Sequence, residues 1–120
     1  MSDLKTTIRR SETGPVVSVA GELDHHSSPQ LREALDHLTL YPGDHLVLDL
    51  SALSFCDSSG ITAFIVARNK ALDAQAGIAL AGVPEHTARV LRIIGLDQIF
   101  PIHSDTEAAI TAWTRSPSRP

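Results

Sequence analysis

Asp57-Ser58-Ser59-Gly60 holds the residues of this chain best placed to do chemistry. The tetrapeptide joins an apolar, strand-like run, Leu46 to Phe55, to a helical pattern that follows from Gly60. Serines at such a junction meet unpaired backbone N–H groups and the positive end of the helix dipole. A hydroxyl there can accept a phosphoryl group, which brings about −1.5 to −2 charges at neutral pH. The fold is expected to tolerate that charge, because the helix N–H groups and dipole offset it by ~0.3–2 kcal/mol. A partner's carboxylate facing it does not: at ~6 Å and an effective dielectric of ~20, each unit pair costs ~3 kcal/mol. Even halved by screening, this weakens binding roughly ten- to a hundredfold. The plainer reading of the same two serines is a helix cap, worth ~0.5–2 kcal/mol, and the two roles are compatible.

Other chemistry finds less support. Asp57 as a phosphoaspartate or metal ligand lacks paired acidic residues at an earlier strand end; accepting backbone N–H bonds and orienting the serine suits it better. Glu22 and Asp24, in the run Gly21-Glu22-Leu23-Asp24, are expected in a loop on the same edge. They serve either contact with basic groups of a partner or turn chemistry. His25 and His26 point apart on an extended chain, and no third ligand follows at zinc spacing, so no metal site is expected. Cys56 reads as a small buried hydrophobe, and Asp49, inside an apolar strand, as turned toward a helix terminus. With no GxxxxGK[ST] loop, no GxSxG elbow and no histidine tied by context to Ser58, the chain is not read as an enzyme. No cofactor is implied.

Composition sets the frame for these residues. The chain has 120 residues, 42% hydrophobic and 20% charged, which suits one globular domain with a real core. A net charge of −4 and 4% aromatics argue against a nucleic-acid surface. No apolar run approaches the ~20 residues of a membrane span. The N-terminal run lacks the apolar core of a secretory signal, and a single cysteine suits a reducing interior. Cytoplasmic placement follows as the expectation. Net negative charge and no obvious second apolar face point to a monomer.

The elements that must position the serines follow from periodicity and punctuation. Leu4 to Arg10 reads as an edge strand, Gly14-Pro15 as a turn, and Val16 to Ala20 as the second arm of a hairpin. Ser27-Ser28-Pro29 opens a helix carrying Leu31, Ala34, Leu35 and Leu38, ended by Tyr41-Pro42-Gly43. His45 to Leu50 is a short apolar strand. The second helix places Ile61, Phe64, Ile65 and Leu72 on one stripe, with Arg68, Asn69 and Lys70 toward its negative end. Gly77 opens a strand, Ile78 to Val83. Pro84 starts a third helix with Val90, Leu91 and Ile94 as its core face, closed by Gly95. Ile99 to Ile102 is a last strand and Asp105 to Trp113 a last helix. A domain over 1–114 and a loose tail over 115–120 are expected. The sum is an α/β fold: a mixed sheet of about five strands, beginning with a β-hairpin, with four helices.

Three stretches in this order carry a resemblance: GELDHHSS at 21–28, LVLDLSALSFCDSSG at 46–60, and VPEHTARVLRIIGLDQIFPI at 83–102. Together they resemble a STAS domain, and more narrowly the bacterial anti-sigma factor antagonists. DSSG alone is a weak signal; GELD followed by LDLS and DSSG is a specific one. The resemblance implies the STAS fold and a partner switch. The unphosphorylated antagonist binds an anti-sigma factor that is also a GHKL-type serine kinase, which frees a sigma factor. Phosphorylation ends the complex, and a PP2C-type phosphatase restores it. It implies that the acceptor is the serine directly after the aspartate, Ser58, with Ser59 as runner-up. The partner surface is then expected on Glu22, Asp24, Asp57, Ser58, Ser59, Gly60, Ile61 and Thr62. Ile61-Thr62 departs from the Leu-Gly of many relatives, and a β-branched residue there favours the helix slightly less. The competing assignment is a STAS scaffold or regulatory module of another signalling or transport complex, without a phosphorylation switch.

Overall fold

In the computed structural model, which describes residues 3–115, strands and helices alternate around one mixed sheet. β1 (Leu4–Ser11) and β2 (Gly14–Leu23) form an antiparallel hairpin. Its turn is Glu12-Thr13 rather than Gly14-Pro15. Ser11 Oγ donates to Gly14 O at 2.9 Å and accepts from Thr13 N–H at 3.2 Å, so the chain has already reversed when it reaches Gly14. β2 then serves two parallel neighbours in succession: its first half pairs with β3 (His45–Asp49) and its end with β4 (Leu53–Cys56). Beyond β3 come β5 (Gly77–Ala81) and the two-residue β6 (Ile102–His103), completing the order β1-β2-β3-β5-β6. The mixed sheet, its opening hairpin and the four helices are the architecture the sequence leads one to expect.

Alternation along the strands separates two cores. Val17, Val19, Leu23, Leu46, Leu48 and Leu80 face Leu31 and Leu35 of α1 (Ser28–Asp36), Phe64 of α2 (Ser58–Asp73) and Leu91 of α3 (Glu85–Ile93). On the opposite face, Val16, Val47, Ala79 and Ala81 meet Ala109 of α4 (Thr106–Arg115). Large residues build the first layer and small ones let α4 lie close to the sheet.

Several expected details differ. α1 ends at Asp36, and Tyr41 to Asp44 is a separate turn. There Tyr41 N–H donates to Asp44 Oδ2 at 3.0 Å, while Arg10 Nη2 meets Asp44 Oδ1 at 2.8 Å. On α2, Ile61, Ala63, Phe64, Ala67 and Ala71 are buried, whereas Leu72 is 53% exposed. At 100° per residue, Ala71 lies about 20° from Phe64 around the axis and Leu72 about 80° away. α3 buries Leu91 and Thr87, leaving Val90 and Ile94 outside the core. β5 stops at Ala81, where Gly82 turns with φ +65°, short of Val83. The final strand is only Ile102–His103, because Leu96–Gln98 coils into a 3₁₀ turn and Phe100 drops into the core. With Ile93 and Ile99 also exposed, an apolar surface does exist near α3, contrary to the expectation of none. Arg115 closes α4, and the rest of the expected tail lies outside the described residues. Among the described residues, no helix is long and apolar enough to cross a membrane.

Candidate functional site

β2 and β4 run parallel and end side by side, Leu23 opposite Cys56. Each strand is followed at once by an aspartate and then by a helix. The two turns are tied together by Asp57 N–H, which donates to Leu23 O at 3.1 Å. In the first turn Asp24 Oδ1 accepts from the N–H groups of His26 and Ser27, both at 3.0 Å. In the second, Asp57 caps α2, its Oδ1 accepting from Ser59 N–H at 2.8 Å and more weakly from Gly60 N–H at 3.4 Å. The cap of α2 is therefore the aspartate, and neither serine performs that task. Asp24 takes part in this turn through its Oδ1. Glu22 sits on the end of β2 rather than in a loop, its exposed side chain beside Phe55 of β4.

The four serines of these turns meet different fates. Ser27 is 6% exposed; its hydroxyl accepts from Asp24 N–H at 3.0 Å and donates to Glu22 O at 2.7 Å. Ser28 is buried at the start of α1. Ser59 is half-buried and lines a groove of about 540 Å³ between α1 and α2, together with Thr62, His25 and Arg32. Ser58, the first residue of α2, is exposed. Ser59 and Gly60 N–H are already taken by Asp57, so they are not spare donors for an added phosphate. Ser58 therefore stands out among these serines by its exposure and not by spare N–H donors at the helix end.

Gly60 has a steric role. A Cβ at this position would lie 2.5 Å from Cys56 Sγ and 2.8 Å from two carbons of Leu23. The start of α2 is thus pressed onto the ends of β2 and β4, which fixes Ser58 relative to both strands. Cys56 is half-buried, and burial together with the neighbouring Asp57 pushes its thiol up to about 12. It carries no thiolate chemistry at neutral pH. Ile61, expected on the partner surface, is 7% exposed and belongs to the core. Gly60 is also buried, so of that helix turn Ser58 and Thr62 remain outside. Thr62 Oγ1 donates to Ser58 O, one turn earlier in α2, at 3.0 Å.

His25 and His26 are both exposed, their rings 6.0 Å apart edge to face. Among the described residues no group of three or more His, Cys, Asp or Glu is placed to hold a metal ion. Asp49 turns to Ser51, accepting from its N–H at 3.1 Å and its hydroxyl at 2.8 Å, rather than to a helix terminus. One residue escaped the sequence reading: Phe55, 44% exposed on β4, three positions before Ser58 and paired with Glu22. Alternation would have set Phe55 on the same face as the buried Leu53; a bulge in the β2–β4 pairing, where Gly21 meets Leu53 but the next residue, Glu22, meets Phe55, turns the ring outward.

Comparison with known proteins fits this geometry. The family model of the STAS domain matches residues 5–109. The anti-sigma F factor antagonist of Paenibacillus polymyxa is 36% identical over 98 residues, which cover 80% of this chain and 83% of that protein. The crystal structure of an anti-sigma factor antagonist from Mycobacterium paratuberculosis superposes with a TM-score of 0.83 at 28% identity, covering 93% of this chain and 95% of the other. The Bacillus cell fate determinant SpoIIAA in its phosphorylated form shares the fold, with a TM-score of 0.67 at 21% identity over 89% of this chain and 97% of that one. The chain therefore belongs to the STAS-domain family of anti-sigma factor antagonists.

Proposed function

We propose that this chain is an anti-sigma factor antagonist switched by phosphorylation of Ser58. In its unphosphorylated form it binds an anti-sigma factor that is also a GHKL-type serine kinase, and a sigma factor is released. The kinase transfers the γ-phosphoryl group of ATP to Ser58 Oγ, ADP leaves, and the hydroxyl proton is lost. The antagonist then dissociates, and a PP2C-type phosphatase hydrolyses the ester. The observation that carries this reading is the contrast among the four turn serines: Ser58 is exposed, while Ser27 and Ser28 are buried and Ser59 faces a groove. A protein of the same fold in phosphorylated form supports the compatibility of phosphate with this architecture.

The surface offered to the partner is Ser58, Ser59, Thr62, Asp57, Glu22 and the exposed ring of Phe55, with Asp24, Gly60 and Ile61 beneath it as scaffold. Phe55 supplies an apolar anchor of the kind that dominates interface energetics. A phosphate on Ser58 places a dianion beside Asp57 at the centre of that surface. Burying it unpaired against a partner costs several kcal/mol, on the order of a hundredfold or more in affinity.

Affinity capture from native lysate, with wild type and Ser58→Asp as baits, tests the proposal. A serine kinase of the GHKL type recovered by wild type and lost with Ser58→Asp is the expected result, with Ser58→Ala retaining it and resisting labelling by ATP. Equal recovery of the same proteins by wild type and Ser58→Asp would sink the switch and favour a scaffold role.

A further inference from the structure

At the outer edge of β5, between α2 on one face of the sheet and α4 on the other, lies a cavity of about 440 Å³, within the range typical of small-ligand sites. β6 pairs only with Leu80 and Ala81, so the first half of β5 has no strand on that side. Gly77 N–H donates to Asp44 O and Leu80 N–H to Pro101 O. The ladder alternates, so Ile78, two residues before Leu80, turns its N–H and C=O to the same open side as Leu80.

The walls come from α2, α4, the strands β3, β5 and β6, and the segment that leads into β6. Trp113 of α4 stacks on His45 of β3, ring centroids 4.5 Å apart and planes 3° from parallel. The stack is built into the backbone: a Cβ on Gly77 would lie 2.5 Å from the indole ring. Leu72 and Ile99, both partly exposed, supply aliphatic surface, which accounts for two of the apolar side chains left outside the core. The polar groups are Arg68, His103 and His45, and no carboxylate lines the cavity. That is unusual in a chain with 14 acidic against 10 basic residues. By contrast, the grooves between α1 and α2 are lined by Glu33, Asp36 and Asp73 as well as by cations. Arg68 is half-buried and has no ion pair or hydrogen bond among the described residues. His45 is 3% exposed, with a buried Nδ1 that has no hydrogen-bond partner among them. Burial, with a smaller contribution from His103, pushes His45 down to about 4 and so holds it neutral at pH 7.

We propose that this cavity binds a small apolar monocarboxylate, its carboxylate held by Arg68 and the free edge of β5 and its hydrocarbon body resting on Trp113, Leu72 and Ile99. A guanidinium with unused donors beside a strand-edge N–H is a carboxylate receptor, and the remaining wall rejects a strongly hydrated anion such as free phosphate. The site lies apart from the Ser58 turn, so the proposal stands or falls independently of the phosphorylation switch.

Trp113 is the only tryptophan, so its fluorescence reports on the cavity alone. Phenylacetate and hexanoate are titrated into the full chain up to about 10 mM, where even a millimolar site fills. Phenylacetamide serves as the neutral control. The expected result is a saturable change with at least one carboxylate, binding roughly tenfold weaker for the amide and for Arg68→Gln, as loss of a charged hydrogen bond predicts. Arg68→Lys, which keeps the charge, recovers part of the affinity; circular dichroism checks that both variants fold. No saturable response to either carboxylate, or equal binding of acid and amide, or binding unaffected by Arg68→Gln, would overturn the proposal.

Discussion

The helix that carries Ser58 and the helix that follows β5 are fastened to the same sheet by different means. α2 begins on an aspartate cap, presses Gly60 against Leu23 and Cys56, and continues into the core through Ile61, Ala63, Phe64, Ala67 and Ala71. α3 has no side-chain cap and buries only Thr87 and Leu91, with Val90, Ile93 and Ile94 left in solvent. Its one ion pair, Arg92 with Glu85 at 3.4 Å, is exposed and adds little. The turn of Ser58 is thus mounted on the more firmly held of these two helices. A phosphorylation switch at Ser58, as proposed, would then act through the surface and not through a rearrangement of the helix that carries it.

The comparison is strained hardest by Phe64→Ala. Phe64 is fully buried where α2 crosses the sheet, and its truncation is expected to cost about 3–5 kcal/mol, read as a large drop in the urea midpoint. A loss below about 1 kcal/mol would mean that α2 is not held by this contact.

Gly60→Ala comes next. The added methyl overlaps Cys56 Sγ and Leu23, and overpacking of this kind costs about 1–3 kcal/mol. Adding Cys56→Ala removes one of the two clashing groups and is expected to restore part of the loss, whereas the same change in wild type leaves a small void. Additive rather than compensating effects of the two substitutions would show that the glycine is not there for close approach.

These contacts mark where the sequence was legible. The strand–turn–helix around Ser58 could be read because three local signals agree: an apolar run, an aspartate at a turn, and serine-glycine at a helix start. The β1–β2 hairpin and the order of elements followed from the same kind of punctuation. What failed was the choice of face. Leu72, Val90 and Ile94 fit a helical stripe by residue type, yet the stripe that meets the sheet on α2 is drawn by alanines. Alanine carries little hydrophobic signal but allows a helix to approach a strand closely, a tertiary fact that residue type does not encode. Ile61 was misplaced for the related reason that proximity to Ser58 in sequence says nothing of direction on the helix. The Trp113–His45 stack was out of reach, since it joins residues 68 positions apart whose meeting depends on the absence of a side chain at Gly77.

The smallest effect is expected on α3, and it is the sharpest control on the comparison. Ile93 is 75% exposed in the last turn of that helix. Ile93→Lys exchanges a β-branched residue for a better helix former and puts a cation near the negative end of the dipole. Both terms favour the folded chain by a few tenths of a kcal/mol, and no buried contact opposes them, so the net change should stay within about 0.5 kcal/mol. Urea unfolding of the variant beside Phe64→Ala measures this directly. A cost above about 1 kcal/mol would require Ile93 to be covered in solution. Sedimentation of wild type and variant separates the two ways that could arise. If wild type alone self-associates, the apolar end of α3 is buried against a second copy. If both are monomeric, α3 is packed more firmly than its exposed flank implies, and the contrast between the two helices weakens.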